Sequence, residues 1–204
     1  MVKPIGIIIL AAGFSERMGT PKPLLRLGDK TFLEHILTNP FVNQNPIPPL
    51  VVVGYEQERI RLLIPPQVKI VENPDYFTGR MSSINRGINS LHPEVDGALI
   101  WPVDFPIIPS EVLSALAEAF VGTTRICIPS FQNRRGHPPL IGAAYFSEIL
   151  QLSEPESLRT LYSRHPQAIV HVPVDTDWVL QNINTPEDYE SVLLRYRQKG
   201  SECL

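Results

Sequence analysis

Short apolar runs alternate along the chain with stretches whose hydrophobic positions recur every three or four residues. Ile5–Leu10 is an unbroken apolar run, the pattern of a central parallel strand covered on both faces. Residues 31–37 place Phe32, Leu33, Ile36 and Leu37 at helical spacing. A strand is predicted at 50–53, then a helical stretch through Ile60 and Leu63, then a strand at 68–71. Met81, Ile84, Ile88 and Leu91 share one helical face. Residues 98–103 predict a strand ending at Asp104, and Ser110 is expected to cap a helix reaching about Phe120. Shorter strands are predicted at 125–128, 139–141 and 168–172. Thr185-Pro186-Glu187-Asp188 opens the last helix with a capping hydroxyl, a proline at the first position and acids near the positive end. Strands separated by helices predict one domain over 1–204, a three-layer α/β/α sandwich with a mostly parallel sheet and a loose tail at about 200–204.

Composition narrows the function classes. A net charge of −3 argues against the basic field that nucleic-acid binding needs. No apolar run approaches the roughly 18–20 residues of a membrane span. The run that follows Lys3 passes straight into a polar glycine loop, as a buried strand does and a signal peptide does not. The two cysteines, Cys127 and Cys203, are too few for a disulfide framework or a thiolate metal site, which fits a reducing cytoplasm. The 21 prolines read as punctuation between short elements.

Five segments carry candidate chemistry. In the first, Leu10-Ala11-Ala12-Gly13-Phe14-Ser15-Glu16-Arg17-Met18-Gly19-Thr20-Pro21-Lys22, a strand ends in small residues followed by two cations. Successive N–H groups in such a turn form an anion nest, and Arg17 and Lys22 can neutralise a triphosphate. The loop is neither a Walker loop nor a Gly-x-Gly-x-x-Gly turn. In the second, Trp101-Pro102-Val103-Asp104-Phe105-Pro106, a strand delivers a carboxylate to the end where α/β sheets bind ligands. Asp104 is there either a hard oxygen ligand for Mg²⁺ or a turn aspartate. The third, residues 73–83, runs into a helix N-terminus, where Gly79, Ser82 and Ser83 could meet a base, ribose or phosphate, or act as plain first-turn residues. Arg80 and Arg86 read as solvated surface charges. The fourth, Asn133-Arg134-Arg135-Gly136-His137-Pro138-Pro139, suits an anionic acceptor or a structural histidine. The last is Asn182-Ile183-Asn184, where alternation on a strand would point both amides to one face, to hold a cation or loop backbone.

Taken in order, these segments resemble the MobA/MocA-like nucleotidyltransferases, and within them the molybdenum cofactor cytidylyltransferases. The opening signature Leu-Ala-Ala-Gly-x-Ser-x-Arg-Met-Gly, followed by a lysine and leucines, is complete across residues 10–25. Gly79 to Ile84, Asp104-Phe105-Pro106, Arg135-Gly136-His137-Pro138 and Asn182 to Asp188 match the later family segments. The Arg-Gly-His-Pro match points to the cytidylyl branch. Three positions depart from it. Ser157-Leu158-Arg159 replaces Gly-Ala-Arg, Arg80 replaces an apolar methionine, and Asn182 and Asn184 replace an Asp pair, as in the guanylyl branch.

The resemblance implies a Rossmann-like (GT-A-like) nucleotidyltransferase fold and Mg²⁺-dependent transfer of CMP from CTP to the phosphate of a molybdopterin-type acceptor. It assigns catalysis to Arg17, Lys22 and Asp104. Nucleotide binding falls to Leu10, Ala11, Ala12, Gly13, Arg17, Lys22, Gly79, Ser83 and Asp104, acceptor binding to Arg135, His137 and Arg159, and metal binding to Asp104, Asn182 and Asn184. A molybdoenzyme or its chaperone is the implied downstream partner. The alternatives are guanylyl transfer from GTP to the same cofactor, a cytidylyl or sugar-phosphate transferase with another acceptor, and a non-catalytic nucleotide- or cofactor-binding accessory protein.

Overall fold

The computed structural model describes residues 4–201, with side chains within 4–198. Its strands are β1 (Ile5–Leu10), β2 (Arg26–Leu27), β3 (Lys30–Thr31), β4 (Leu50–Val53), β5 (Lys69–Glu72), β6 (Gly97–Pro102), β7 (Ile126–Phe131), β8 (Arg134–Arg135), β9 (Leu140–Gly142) and β10 (Ile169–Pro173). Its α-helices are α1 (Phe32–Leu37), α2 (Pro40–Gln44), α3 (Gln57–Arg61), α4 (Arg80–Asn89), α5 (Ser110–Ala119), α6 (Phe146–Ile149), α7 (Leu158–Arg164) and α8 (Pro186–Ser201).

The main sheet runs β10-β7-β9-β6-β1-β4-β5, with β8 paired to β7. Neighbours pair in parallel except around β9, which runs antiparallel to both β6 and β7, and at β8. Successive residues of β1 face opposite sides. Ile7 and Ile9 join a core with α1 and α5, while Ile8 and Leu10 join another with Met81, Ile84 and Ile88 of α4. All six β1 residues are therefore buried, which is why the run is continuously apolar. The result is the expected three-layer sandwich with a mostly parallel, mixed sheet.

The chain leaves β1 to one neighbour, β4, and later returns to the other, β6. This reversal opens a crevice beyond the carboxyl ends of β1 and β6, where Leu10 pairs with Pro102.

Three local expectations change. Ser110 is the first residue of α5 rather than its cap; Pro109 holds the cap position, and no side chain caps the helix. Proline's fixed φ lets the helix begin one residue earlier than a serine-based reading places it. No strand forms at 182–184 among the described residues, because Ile183 makes a single backbone bond to Asp104, N–H to carbonyl at 3.1 Å, in place of a ladder. Helix α8 runs to Ser201, into the stretch expected to be a loose tail; the rest of that tail, with Cys203, lies outside the described residues, as does Lys3.

Candidate active site

Beyond β1, the Ala11 N–H donates to the Val52 carbonyl (2.9 Å) and the Ala12 carbonyl accepts from Tyr55 (3.1 Å), so the strand is prolonged by two residues. The chain then turns away. Ser15 takes a left-handed conformation (φ 57°), a 3-10 turn spans Glu16–Met18, and Gly19 ends it at φ 64°. Ser15 Oγ accepts from the Lys22 N–H at 3.0 Å, which closes the loop on itself. The N–H groups of Gly13 and Phe14 donate to no acceptor among the described residues. They are available to an anion.

Asp104 stands at the end of β6 in a tightly bonded turn. Val103 N–H donates to Leu10, Phe105 N–H to Pro102, and the Trp101 indole to the Phe105 carbonyl at 2.9 Å. The carboxylate is buried, with Lys22 Nζ at 3.7 Å and the Arg80 guanidinium at 3.5 Å from the same oxygen, Oδ2. Oδ1 is buried without a hydrogen-bond partner. Lys22 Nζ also donates to Asn184 Oδ1 at 2.7 Å. Burial pushes the Lys22 pKa down; Asp104 opposes this, while Arg80 and Arg17 add to it.

Asn184 is itself held. Asp188 Oδ2 accepts from the N–H groups of Asn184 and Thr185, each at 2.9 Å, and Thr185 Oγ1 accepts from the Asp188 N–H at 3.2 Å. This reciprocal cap bears out Thr185 as the capping hydroxyl. The backbone donors hold the Asp188 pKa below the usual carboxylate range.

These groups line a cleft of about 460 Å³ that includes Leu10, Ala11, Ala12, Gly13, Arg17 and Lys22, together with Gly79, Arg80, Ser83, Asp104 and Asn184. Arg17 is exposed on its wall. Asn73, almost fully buried, donates its amide to Ser82 Oγ and Ser83 Oγ, both at 2.9 Å, and so fixes the start of α4. Gly79 precedes that helix with φ 118°, and the Glu154 side chain fills the place a Cβ would take. Any other residue there would be strained, and the Glu154 side chain would have to move aside.

A second cavity, of about 660 Å³, lies on the other side of Arg80 and shares Leu10, Arg80 and Pro102 with the first. Arg135, Gly136, His137, Ser157, Arg159 and Tyr162 are among its walls. Gly136 and His137 are pinned by backbone bonds to Pro129 (2.7 Å) and Val179 (2.8 Å), and a Cβ on Gly136 would stand 2.7 Å from Val179. The His137 ring packs on Phe105, centroids 4.5 Å apart, and its Nδ1 is buried without a partner. Burial lowers its pKa to about 4, so the imidazole is neutral at neutral pH. Burial also pushes the Tyr162 phenol up. Arg135 and Arg159 are exposed.

A family model described as the MobA-like NTP transferase domain matches residues 7–169. The chain belongs to this family. As a MobA-like nucleotidyltransferase, it is 30% identical over 195 residues to a protein of Bacillus anthracis named "Probable molybdenum cofactor guanylyltransferase", covering 89% of this chain and 92% of that one. Its fold matches the Mycobacterium sp. strain JC1 homologue of Mycobacterium tuberculosis Rv0371c, with a TM-score of 0.84 and 24% identity over 97% and 99% of the two chains. It also matches Rv0371C from Mycobacterium tuberculosis in complex with manganese (TM-score 0.77, 20% identity, 95% and 99% covered).

The structure brings all the expected nucleotide-side residues of this nucleotidyltransferase into one cleft and all three acceptor-side residues into the neighbouring cavity. Asn182 is the exception. It does not line the cleft, and its Oδ1 is buried without a partner. With no strand at 182–184, the two amides are not displayed together. Arg80, read from sequence as a surface charge, reaches Asp104, whereas Arg86 does pair at the surface with Asp75 at 3.6 Å. Sequence reasoning also missed Asn73 and the role of Asp188 in aiming Asn184. The Asn-Pro pair and the acid three residues after Thr185 were the available signals.

Proposed function

We propose that this nucleotidyltransferase moves GMP from GTP to the phosphate of a molybdopterin-type cofactor and releases pyrophosphate. The observation that carries the reading is the meeting of the two cavities at Leu10, Arg80 and Pro102, beside the buried carboxylate of Asp104. A triphosphate in the first and a phosphate-bearing acceptor in the second would have their reacting groups at that shared wall. The guanylyl name of the Bacillus anthracis relative and the amides at 182 and 184 move the weight from CTP to GTP. Arg135-Gly136-His137-Pro138, in the acceptor wall, is what supports CTP as the second reading.

The acceptor phosphate is already an anionic nucleophile, so no general base is needed. Its oxygen forms a bond to the α-phosphorus. The bond from the α-phosphorus to the bridging oxygen breaks, and the electron pair leaves on pyrophosphate. The protein's work is positioning and neutralisation of charge. Arg17, Lys22 and the free N–H groups of Gly13 and Phe14 suit the leaving pyrophosphate. Leu10, Ala11 and Ala12 wall the nucleotide, with Gly79 and Ser83 toward base or ribose. Arg135, Arg159 and neutral His137 face the acceptor, His137 as a hydrogen-bonding group rather than a cation.

Among the described residues no cluster of three or more His, Cys, Asp or Glu could hold a metal. The partnerless Oδ1 of Asp104, with the Asn184 amide nearby on Lys22, fits a hard cation that takes one carboxylate and completes its shell with phosphates and water. Asp104 and Asn184 would hold Mg²⁺, and the ion would supply charge stabilisation on the phosphates. The manganese complex of Rv0371C supports a divalent cation. A cytoplasmic location belongs to the same reading.

The test is pyrophosphate release from GTP, CTP, ATP and UTP in turn, with Mg²⁺ and molybdopterin. GTP is expected to support stoichiometric release. Turnover with CTP and none with GTP would return the assignment to cytidylyl transfer. Binding without turnover for every nucleotide would favour an accessory protein.

A further inference from the structure

Two cations share one carboxylate oxygen in this site, and they are held very differently. Lys22 is 13% exposed in its side chain, anchored by Asn184 at 2.7 Å and by the loop bond through Ser15. Arg80 is 54% exposed, and its guanidinium has Asp104 as its hydrogen-bond partner, at the limit of reach, 3.5 Å. It stands at the first position of α4, on the wall common to both cavities. Asp104 Oδ1 meanwhile has no partner. A third cation arriving at Asp104 would meet repulsion from both neighbours, and of the two only Arg80 can leave without breaking another side-chain bond.

We propose that Arg80 is an exchangeable counter-ion that couples the two cavities. With the cleft empty it neutralises Asp104. When a divalent cation and nucleotide occupy Asp104, the guanidinium turns to the acceptor phosphate at the shared wall. Arginine suits the second task because its planar fork matches a phosphate with two parallel donors. The proposal rests on the metal and acceptor reading given above and adds to it a residue that links metal arrival to acceptor capture.

Mn²⁺ serves as the probe, with its binding followed by the loss of the free-ion electron paramagnetic resonance signal. Arg80→Gln removes the competing charge and should bind Mn²⁺ more tightly by about two- to five-fold, the size expected of a half-exposed ion pair. Arg80→Lys should stay near the wild-type value, and all variants should melt with the wild type. Asp104→Asn should lose the binding. Molybdopterin affinity is then measured by equilibrium fluorescence with Mn²⁺ and a non-hydrolysable GTP analogue. Arg80→Gln should weaken it by at least about tenfold, the scale of a lost charge-assisted hydrogen bond. Without Mn²⁺ and nucleotide, the difference should vanish.

Mn²⁺ affinity unchanged or weaker in Arg80→Gln, with binding lost in Asp104→Asn, overturns the exchange and leaves the metal reading intact. Undiminished Mn²⁺ binding by Asp104→Asn overturns both. A molybdopterin affinity that Arg80→Gln leaves unaltered, or lowers equally with and without Mn²⁺, overturns the coupling. Wild-type protein that does not bind molybdopterin overturns the acceptor reading and the coupling together.

Discussion

On one side of Arg80 the chain binds itself: Ser15 to the Lys22 backbone, Lys22 to Asn184, Asn184 to Asp188, and Lys22 with Arg80 to Asp104. On the other side the walls are largely apolar or unpaired. Arg159 is exposed, and the His137 Nδ1 is buried without a partner. The first cavity is pre-organised around charge, so a triphosphate meets donors already aimed and little ordering remains to be done on binding. The second is a more apolar room whose walls also carry Arg80, Arg135 and Arg159, with Arg135 and Arg159 exposed to a ligand. A transferase that must hold many kinds of charge in one place and a large heterocycle in another has reason to be built in this way.

The largest test of that contrast is Asp104→Asn. The substitution keeps the shape and removes the charge on which Lys22 and Arg80 converge. Turnover should fall on the order of 100–1000-fold, as when one preorganised electrostatic contact is removed. Molybdopterin affinity without metal should not fall, since the substitution also releases Arg80, and the circular dichroism spectrum should be that of the wild type. Near-wild-type turnover would show that the charged cleft is not where chemistry occurs.

How far each cavity could be read from sequence follows the same division. The first was legible because its core is one continuous segment, residues 10–22, whose strand, small residues and cations are local facts. Asp104 was legible because it ends an apolar strand. Arg80 was not, since its partner lies 24 positions away and only the packing of α4 on β1 brings them together. Asn182-Ile183-Asn184 was misread because one buried isoleucine between two amides imitates strand alternation, while the backbone there bonds a turn. The direction of β9 was illegible for a different reason: three residues carry no periodicity that could distinguish an antiparallel insertion from a parallel strand. The layers themselves were legible, because the apolar runs at 5–10, 50–53 and 98–103 are too short for buried helices and alternate with stretches of helical spacing.

A second test concerns the more apolar cavity. His137 has its pKa lowered by burial from an ordinary 6.5 to about 4. Below pH 6.5 the unfolded chain takes up a proton that the folded chain refuses until about pH 4. The stability linked to His137 is therefore fully present above pH 6.5, is lost as pH falls through that window, and is level again below it. The loss amounts to about 3 kcal/mol by this linkage. Urea melts of metal-free protein at pH 7 and pH 4.5 should show His137→Gln losing correspondingly less stability than the wild type. Equal losses would mean that the ring is as hydrated as a surface histidine, and the second cavity no drier than the first.

The smallest effect examines whether the order of the first cavity is imposed from its floor. Asp188 does not itself line the cleft, yet it accepts the N–H groups of Asn184 and Thr185 and so sets where the Asn184 amide meets Lys22. Asp188→Ala leaves those two donors to water and frays the start of α8, at a cost of about 1 kcal/mol, the usual value of a helix cap. The melting temperature should drop by about 2–4 °C for a chain of this size. With Asn184 loosened, Lys22 keeps Asp104 but loses its second hold, so the KM for GTP should rise by about two- to five-fold, the scale of one partly exposed polar contact. Molybdopterin affinity should not move, because no bond of Asp188 reaches α7 or the Arg135-Gly136-His137 wall. If both affinities fell together, the two cavities would share one scaffold, and the division at Arg80 would be a matter of lining rather than of construction.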